Sequence, residues 1–232
     1  MNFYVGTSGY SYPKWKGKFY PKDLPANGML RYYGENFRSV ESNNTFRKMP
    51  EPQELKARAA EVPADFKFAL KAPQRITHIK RLKDSKELVS HLFKVAAVLK
   101  KQLGPVLFQL PPNFKKDAER LSDFLDLLPA RSRAAFEFRH ESWFDDEIVG
   151  LLKKSKIALC IAEAEGELEV PFVATADWGY LRLRREDYSD VELKARVKKV
   201  QKQDWSDAFV YFRHEDTAKG PKFAKRFLDL AT

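Results

Sequence analysis

Cysteine is nearly missing from this chain: Cys160 is the only one, and it lies inside the apolar run IALCIA. A single cysteine excludes a disulfide framework and any C-x-x-C pair, and it fits a reducing cytosol. Histidine is scarce as well, four in 232 residues with no H-E-x-x-H among them, so the motifs give no metal-ligand set of the zinc-enzyme kind. No apolar run approaches the roughly 20 residues that span a bilayer. The opening MNFYVGTSGY has no charged-then-apolar leader pattern. A soluble, cytoplasmic protein with no membrane partner is expected. Gly6 and Gly9 are wrongly spaced for a dinucleotide fingerprint, and Ser8 sits in no G-x-S-x-G elbow. Internal repeats, low-complexity segments and linker-like stretches are absent too.

What is present is apolar substance and positive charge. Hydrophobic residues make up 44% of the chain and aromatics 13%, enough for a substantial core and against global disorder. A formal net charge of +10 favours anionic partners, with a generally basic soluble surface as the plainer alternative. Short apolar runs predict strands at 3–6, 39–42, 66–71, 105–110, 134–138, 157–161, 180–184 and 208–212. Helical patterns fall between them at 29–37, 52–61, 85–103, 117–128, 145–154, 189–202 and 217–230, with Pro52, Asp117 and Ser189 as start signals. The connection 162–178 reads as irregular. Eight strands alternating with helices predict an α/β fold: one TIM-like (β/α)₈ barrel spanning 1–232, with long βα loops at its C-terminal face and a doubly wound open sheet as the alternative.

Side chains alternate across a strand, so parity sorts each run into two faces. In AAFEF, Phe136 and Phe138 share the face that packs under helices, whereas Glu137, followed in parity by Arg139, points inward. The same rule turns Glu41 and Asn43, Lys71, Gln109, Arg182 and Arg213 towards the interior or its mouth. Catalytic groups of such barrels gather at the C-terminal strand ends. Among the strand-end charges, cations outnumber carboxylates. Charges removed from water must pair, stay wet or bind something, so the pattern predicts either a structural ion-pair network or a site for an anion such as phosphate or carboxylate.

Six ordered motifs, GTSGYSYPKWKGKFYP (6–21), VESNNTF (40–46), KAPQRITHIKRLKD (71–84), LGPVLFQLPPNF (103–114), FEFRHESWF (136–144) and ADWGYLRLR (176–184), make the chain similar to the YecE-like family, domain of unknown function 72. The resemblance covers nearly the whole chain and implies a TIM-like barrel but no particular reaction. Matching polar positions are Thr7, Ser8, Tyr10, Glu41, Asn43, Lys71, Thr77, His78, Gln109, Glu137, Arg139, His140, Trp143 and Arg182. Two departures add positive character. Arg47 stands where many relatives have Tyr, and Arg213 with His214 stand where many have paired asparagines.

From these residues a ranked set of roles follows. Glu41, Glu137 and His78 are candidate catalytic groups: the carboxylates as base or as ligands of Mg²⁺ or Mn²⁺, His78 through a reference pKa near neutrality. Ser8, Tyr10, Asn43, Lys71, Gln109, Arg139, His140, Trp143, Arg182 and Arg213 are candidate ligand contacts, and no residues are assigned as a transition-metal site. The leading functional expectation is a barrel that binds a phosphate-bearing nucleotide or nucleic acid, with metal-assisted phosphodiester hydrolysis as its first reaction class. A second is non-catalytic nucleic-acid binding by the loop 7–21, which interleaves Tyr10, Tyr12, Trp15, Phe19 and Tyr20 with Lys14, Lys16 and Lys18. The same rings read, in preference to base stacking, as a lid packed on the barrel rim. A third is chemistry on a carbohydrate or carboxylated metabolite, with the two glutamates as acid and base. His140 is open to a second reading, as an organiser of its own loop. Cys160 reads as a small core residue.

Overall fold

The computed structural model describes residues 1–163, 166, 168–213 and 217–231. Eight parallel strands, β1 (Asn2–Thr7), β2 (Ser39–Ser42), β3 (Lys67–Lys71), β4 (Leu103–Gln109), β5 (Ala134–Glu137), β6 (Ala158–Glu163), β7 (Trp178–Leu183) and β8 (Asp207–Phe212), lie in the order β1-β8-β7-β6-β5-β4-β3-β2. The result is a TIM-like barrel. Helices α1 (Met29–Asn36), α2 (Pro52–Ala60), α3 (Lys86–Ala96), α4 (Ala118–Leu125), α5 (Asp146–Ser155), α6 (Asp190–Gln201) and α7 (Lys219–Ala231) follow every strand except β6. Among the described residues between β6 and β7 no helix forms, as the irregular pattern there predicts.

Local chemistry sets the helix starts. Pro52 opens α2, where its missing N–H has no partner to lose. Asp117 caps α4 by accepting from Arg120 N, and Ser189 with Glu192 forms a reciprocal capping box on α6. The strands are buried on both faces, as parallel strands under helices must be. Tyr4, Ala69, Leu107, Ala135, Ala158, Cys160, Trp178, Tyr180, Phe209 and Tyr211 fill the lumen. Val40, Phe68, Leu70, Phe108, Phe136 and Leu181 form the outer layer against the helices. Aromatic rings plug the N-terminal end, where Tyr4 stacks on Phe209 at 4.8 Å and Arg133 lies 5.8 Å from the Trp178 ring.

The loop after β1 is a packed lid. Trp15 and Tyr20 are buried, and Phe19 stacks on Phe37 at 5.7 Å, while Lys14 and Lys18 remain exposed. Trp15 and Tyr20 thus offer no faces to bases, and Tyr10, Tyr12 and Phe19 are half-buried against the same core, the arrangement that the rim-packing alternative describes.

Closure between β1 and β2 is made by side chains more than by a ladder. A single isolated bridge joins Ser8 to Glu41, with Gly9 N donating to Glu41 O at 2.8 Å. Below it the Tyr33 hydroxyl accepts from Thr7 N at 2.8 Å and donates to Ser39 O at 3.1 Å, so one phenol spans the seam where backbone pairing stops. Gly6 admits this approach, because a Cβ there would lie 2.0 Å from Ser39 O. Tyr33→Phe strands both backbone groups in a dry seam and is expected to cost about 1–3 kcal/mol in chemical denaturation. A loss no larger than that of Tyr32→Phe, a half-buried tyrosine of the same helix, contradicts the bridging role.

Candidate functional site at the barrel mouth

Strand parity carries the polar residues of five strands into one place. Glu41 from β2 and Glu137 from β5 are both fully buried. Arg182 from β7 lies between them, its Nη2 donating to Glu41 Oε1 at 2.8 Å and its Nη1 to Glu137 Oε2 at 2.6 Å. Glu41 also accepts from Ser8 Oγ and from the Tyr180 hydroxyl, each at 2.8 Å. Glu137 also accepts from Gln109 Nε2 at 2.9 Å and Arg184 Nη2 at 2.9 Å. Each carboxylate thus accepts three charged or neutral hydrogen bonds, the condition for keeping a charge out of water.

The pKa directions follow from these contacts. Burial acts to raise Glu41, but the charge of Arg182 and the donors Ser8, Tyr180 and Arg182 outweigh it and leave the carboxyl below its ordinary value. Burial likewise opposes ionisation of Glu137, yet Arg182 and Arg184 bring it down to about 2. Tyr180 is pushed well up by burial and by Glu41, so it stays a donor. Carboxylates so firmly ionised are weak proton acceptors, and their oxygens already face cations.

Lys71, at the end of β3, differs from the two arginines. Its Nζ donates to the neutral Gln109 Oε1 at 2.8 Å and lies 4.1 Å from the centre of the Phe46 ring. Among the described residues it has no carboxylate ion pair. Burial and then the charge of Arg182 lower its pKa to about 8, against the attraction of Glu41 and Glu137. Within this cluster two carboxylates meet the three cations Lys71, Arg182 and Arg184, leaving one positive charge uncompensated. Arg182 Nε, Arg184 Nε and Asn43 Oδ1 are buried without a protein partner.

The remaining candidates are distributed as follows. His78 sits in a single π-helical turn after β3, its Nδ1 2.9 Å from the Thr77 hydroxyl and its ring edge-on to Phe46 at 4.9 Å. Burial first, then Lys71, Arg139 and Arg81, lower its pKa. Arg139 is exposed just beyond β5. Arg213 is exposed after β8, and His214 lies outside the described residues. Three candidates are placed away from the cluster. Trp143 is buried in the outer layer, stacked on Phe138 at 4.7 Å, with Nε1 donating to Phe114 O at 2.6 Å. His140 caps the next turn, its Nδ1 accepting from Ser142 N, which is the loop-organising alternative. Tyr10 packs beside Tyr33 at 6.1 Å, towards Arg58 and Glu61. Parity could not place these three, since the chain leaves its strand before reaching them. Arg184 and Tyr180 were missed, although both share the parity of Arg182. Among the described residues no group of three or more His, Cys, Asp or Glu side chains is arranged to hold a metal ion.

The profile described as "Protein of unknown function DUF72" matches residues 4–232. The chain belongs to the DUF72 family. The UPF0759 protein YecE of Escherichia coli K12 is 29% identical over 142 residues, which are 61% of this chain and 50% of that protein. The UPF0759 protein YunF of Bacillus subtilis is 28% identical over 187 residues, 75% of this chain and 65% of that one. The chain therefore spans about half to two thirds the length of these relatives. A crystal structure of a DUF72 family protein from Thermotoga maritima covers 99% of both chains with a TM-score of 0.89 and 28% identity. A second, from Enterococcus faecalis, reaches 0.81 at 16% identity and shares the fold. For this DUF72 chain the central question is what the surplus charge at the mouth is for.

The cluster makes two stability predictions. Arg182→Met leaves two buried carboxylates without their shared partner and is expected to cost about 3–5 kcal/mol. The triple variant Glu41→Gln, Glu137→Gln, Arg182→Met removes all three charges and should be less destabilised than the single one in urea titration. Equal losses contradict the charge argument. Glu137, depressed in the folded state, contributes stability that is present above its unfolded pKa near 4.5 and lost as pH falls towards 2. Thermal melts between pH 5 and 2.5 should therefore fall more steeply for the native protein than for Glu137→Gln.

Proposed function

We propose that the barrel mouth binds a small anionic ligand carrying a phosphate or carboxylate. One observation carries this reading: Lys71 is a half-buried cation whose partners are a neutral amide and an aromatic face, in a cluster where the carboxylates are already matched by arginines. A cation placed so is costly in the empty protein and is relieved by an incoming negative charge. Arg184, which commits Nη2 to Glu137, and exposed Arg139 supply further donors. Guanidinium groups suit the planar fork of a carboxylate or phosphate.

Arg182, expected as a direct ligand contact, serves in this reading as the fixed post that holds Glu41 and Glu137. The carboxylates act as structural counter-charges, which leaves metal-assisted phosphodiester hydrolysis without its base or its open ligands. A small anion also fits better than a stacked nucleic-acid strand, because Trp15 and Tyr20 of the β1–α1 loop are core and Tyr10, Tyr12 and Phe19 are half-buried against it. No helix of the described residues is long and apolar enough to cross a membrane. A cytoplasmic setting belongs to the proposal through buried, unpaired Cys160.

Calorimetric titration with inorganic phosphate and with a short dicarboxylate tests the reading. Binding is expected to weaken about tenfold in Lys71→Met and in Arg184→Met, and to fall with added salt. Lys71→Met should at the same time be more stable near pH 7, since a lysine with a lowered folded pKa costs stability below that pKa. Saturable binding that ignores both substitutions, or no binding to the native protein, overturns it.

A further inference from the structure

We propose that Lys71 is a carbonyl-reactive amine, forming an imine with a small ligand whose carbonyl carbon lies beside or near an anionic group, as in a 2-oxo acid or a phosphorylated ketone. The proposal rests on the anion-binding reading and names the substrate class of that same mouth. The geometry supplies four requirements together. The lysine projects inward from the C-terminal end of β3, the position from which barrel residues meet substrate. Its root is fixed, because Thr45 Oγ1 donates to Lys71 O at 2.6 Å and Ala72 N donates to Leu107 O at 2.8 Å. Among the described residues its Nζ has no carboxylate ion pair, and it rests 4.1 Å from the centre of the Phe46 ring, an apolar shelf that shields a C=N bond from water on that side. Finally, Arg184 and Arg139 can anchor the anionic end of a ligand whose carbonyl then faces the amine.

A lysine pairs with a carboxylate when its task is structural, and such pairing holds it protonated and unreactive. Gln109 instead gives Lys71 a neutral acceptor, while its Nε2 is turned to Glu137 at 2.9 Å. The amide thus separates the amine from the acid by one residue. Desolvation and a cationic neighbour, the two means of activating a lysine, are both present and bring its pKa to about 8. A useful fraction of free amine exists near neutrality.

The step balances without an oxidant or reductant. The free amine attacks the carbonyl carbon, a C–N bond forms, and the carbonyl oxygen takes up protons and leaves as water, so ammonium plus carbonyl gives protonated imine plus one water. His78, whose pKa is lowered by burial and by Lys71, Arg139 and Arg81, packs against the same Phe46 ring at 4.9 Å and is the group we assign to exchange the proton of the intermediate. His78 is the positioning and proton-exchange group of this step; Lys71 is the reacting one.

Reductive trapping decides the matter. The full chain is incubated near pH 7.5 with pyruvate or with dihydroxyacetone phosphate, each with cyanoborohydride, then digested and mapped by mass spectrometry. Reduced adduct at Lys71 should exceed that at exposed Lys18 and Lys83 at least tenfold, saturate with ligand, and fall when inorganic phosphate competes. Lys71→Arg, which keeps the charge, should lose the adduct and still bind phosphate. The pyruvate and dihydroxyacetone phosphate arms show whether carboxylate or phosphate is the preferred anchor. Equal labelling of Lys18, Lys83 and Lys71, or an unmodified Lys71, overturns the imine proposal. If phosphate still binds the native protein in that case, the anion-binding reading stands alone. If it does not, both readings fall.

Discussion

One guanidinium organises this barrel. Arg182 reaches across the lumen from β7 and ties a carboxylate of β2 to a carboxylate of β5. Among the described residues it is the one cation the two buried glutamates share, and they are the counter-charges that compensate its own burial. Such triads often contribute little net stability against an apolar core, but they define geometry. Here the geometry defined is the floor of the mouth: the residues above it inherit their positions from Glu41, Glu137 and the amide of Gln109.

A lysine then stands apart from a network that is otherwise matched. The distinction between the two kinds of cation is physical. Arg182 and Arg184 direct donors at carboxylates, whereas Lys71 meets a neutral oxygen and a ring. The first arrangement locks charge in place, and the second keeps it available. The anion-binding proposal and the imine proposal both grow from that asymmetry.

Most of this arrangement could be read from the sequence, for reasons particular to β-structure. The period of two is exact, so in FEF and LRLR the polar residue flanked by apolar ones had to face the lumen. This brought Glu41, Lys71, Gln109, Glu137 and Arg182 to one end without any knowledge of distance. What parity could not show is that Arg182 stands between the glutamates, because that depends on strand order and stagger. It also fails where a strand ends. β5 stops at Glu137, so Arg139, His140 and Trp143 took positions set by turn and packing. The rings among the lysines of 10–20 were ambiguous for another reason: whether an aromatic meets a base or a core is decided by Tyr32, Tyr33 and Phe37 on or beside α1, far from it in local pattern.

The seam between the first two strands gives Glu41 a double attachment. Its backbone forms the only bridge recorded there among the described residues, to Ser8, and its side chain holds the Ser8 hydroxyl on one side and Arg182 on the other. Wall and floor thus share a residue. Any molecule that draws Arg182 aside loosens the weakest joint of the cylinder at the same moment, so amide protons along that joint form a natural gauge of what the mouth binds.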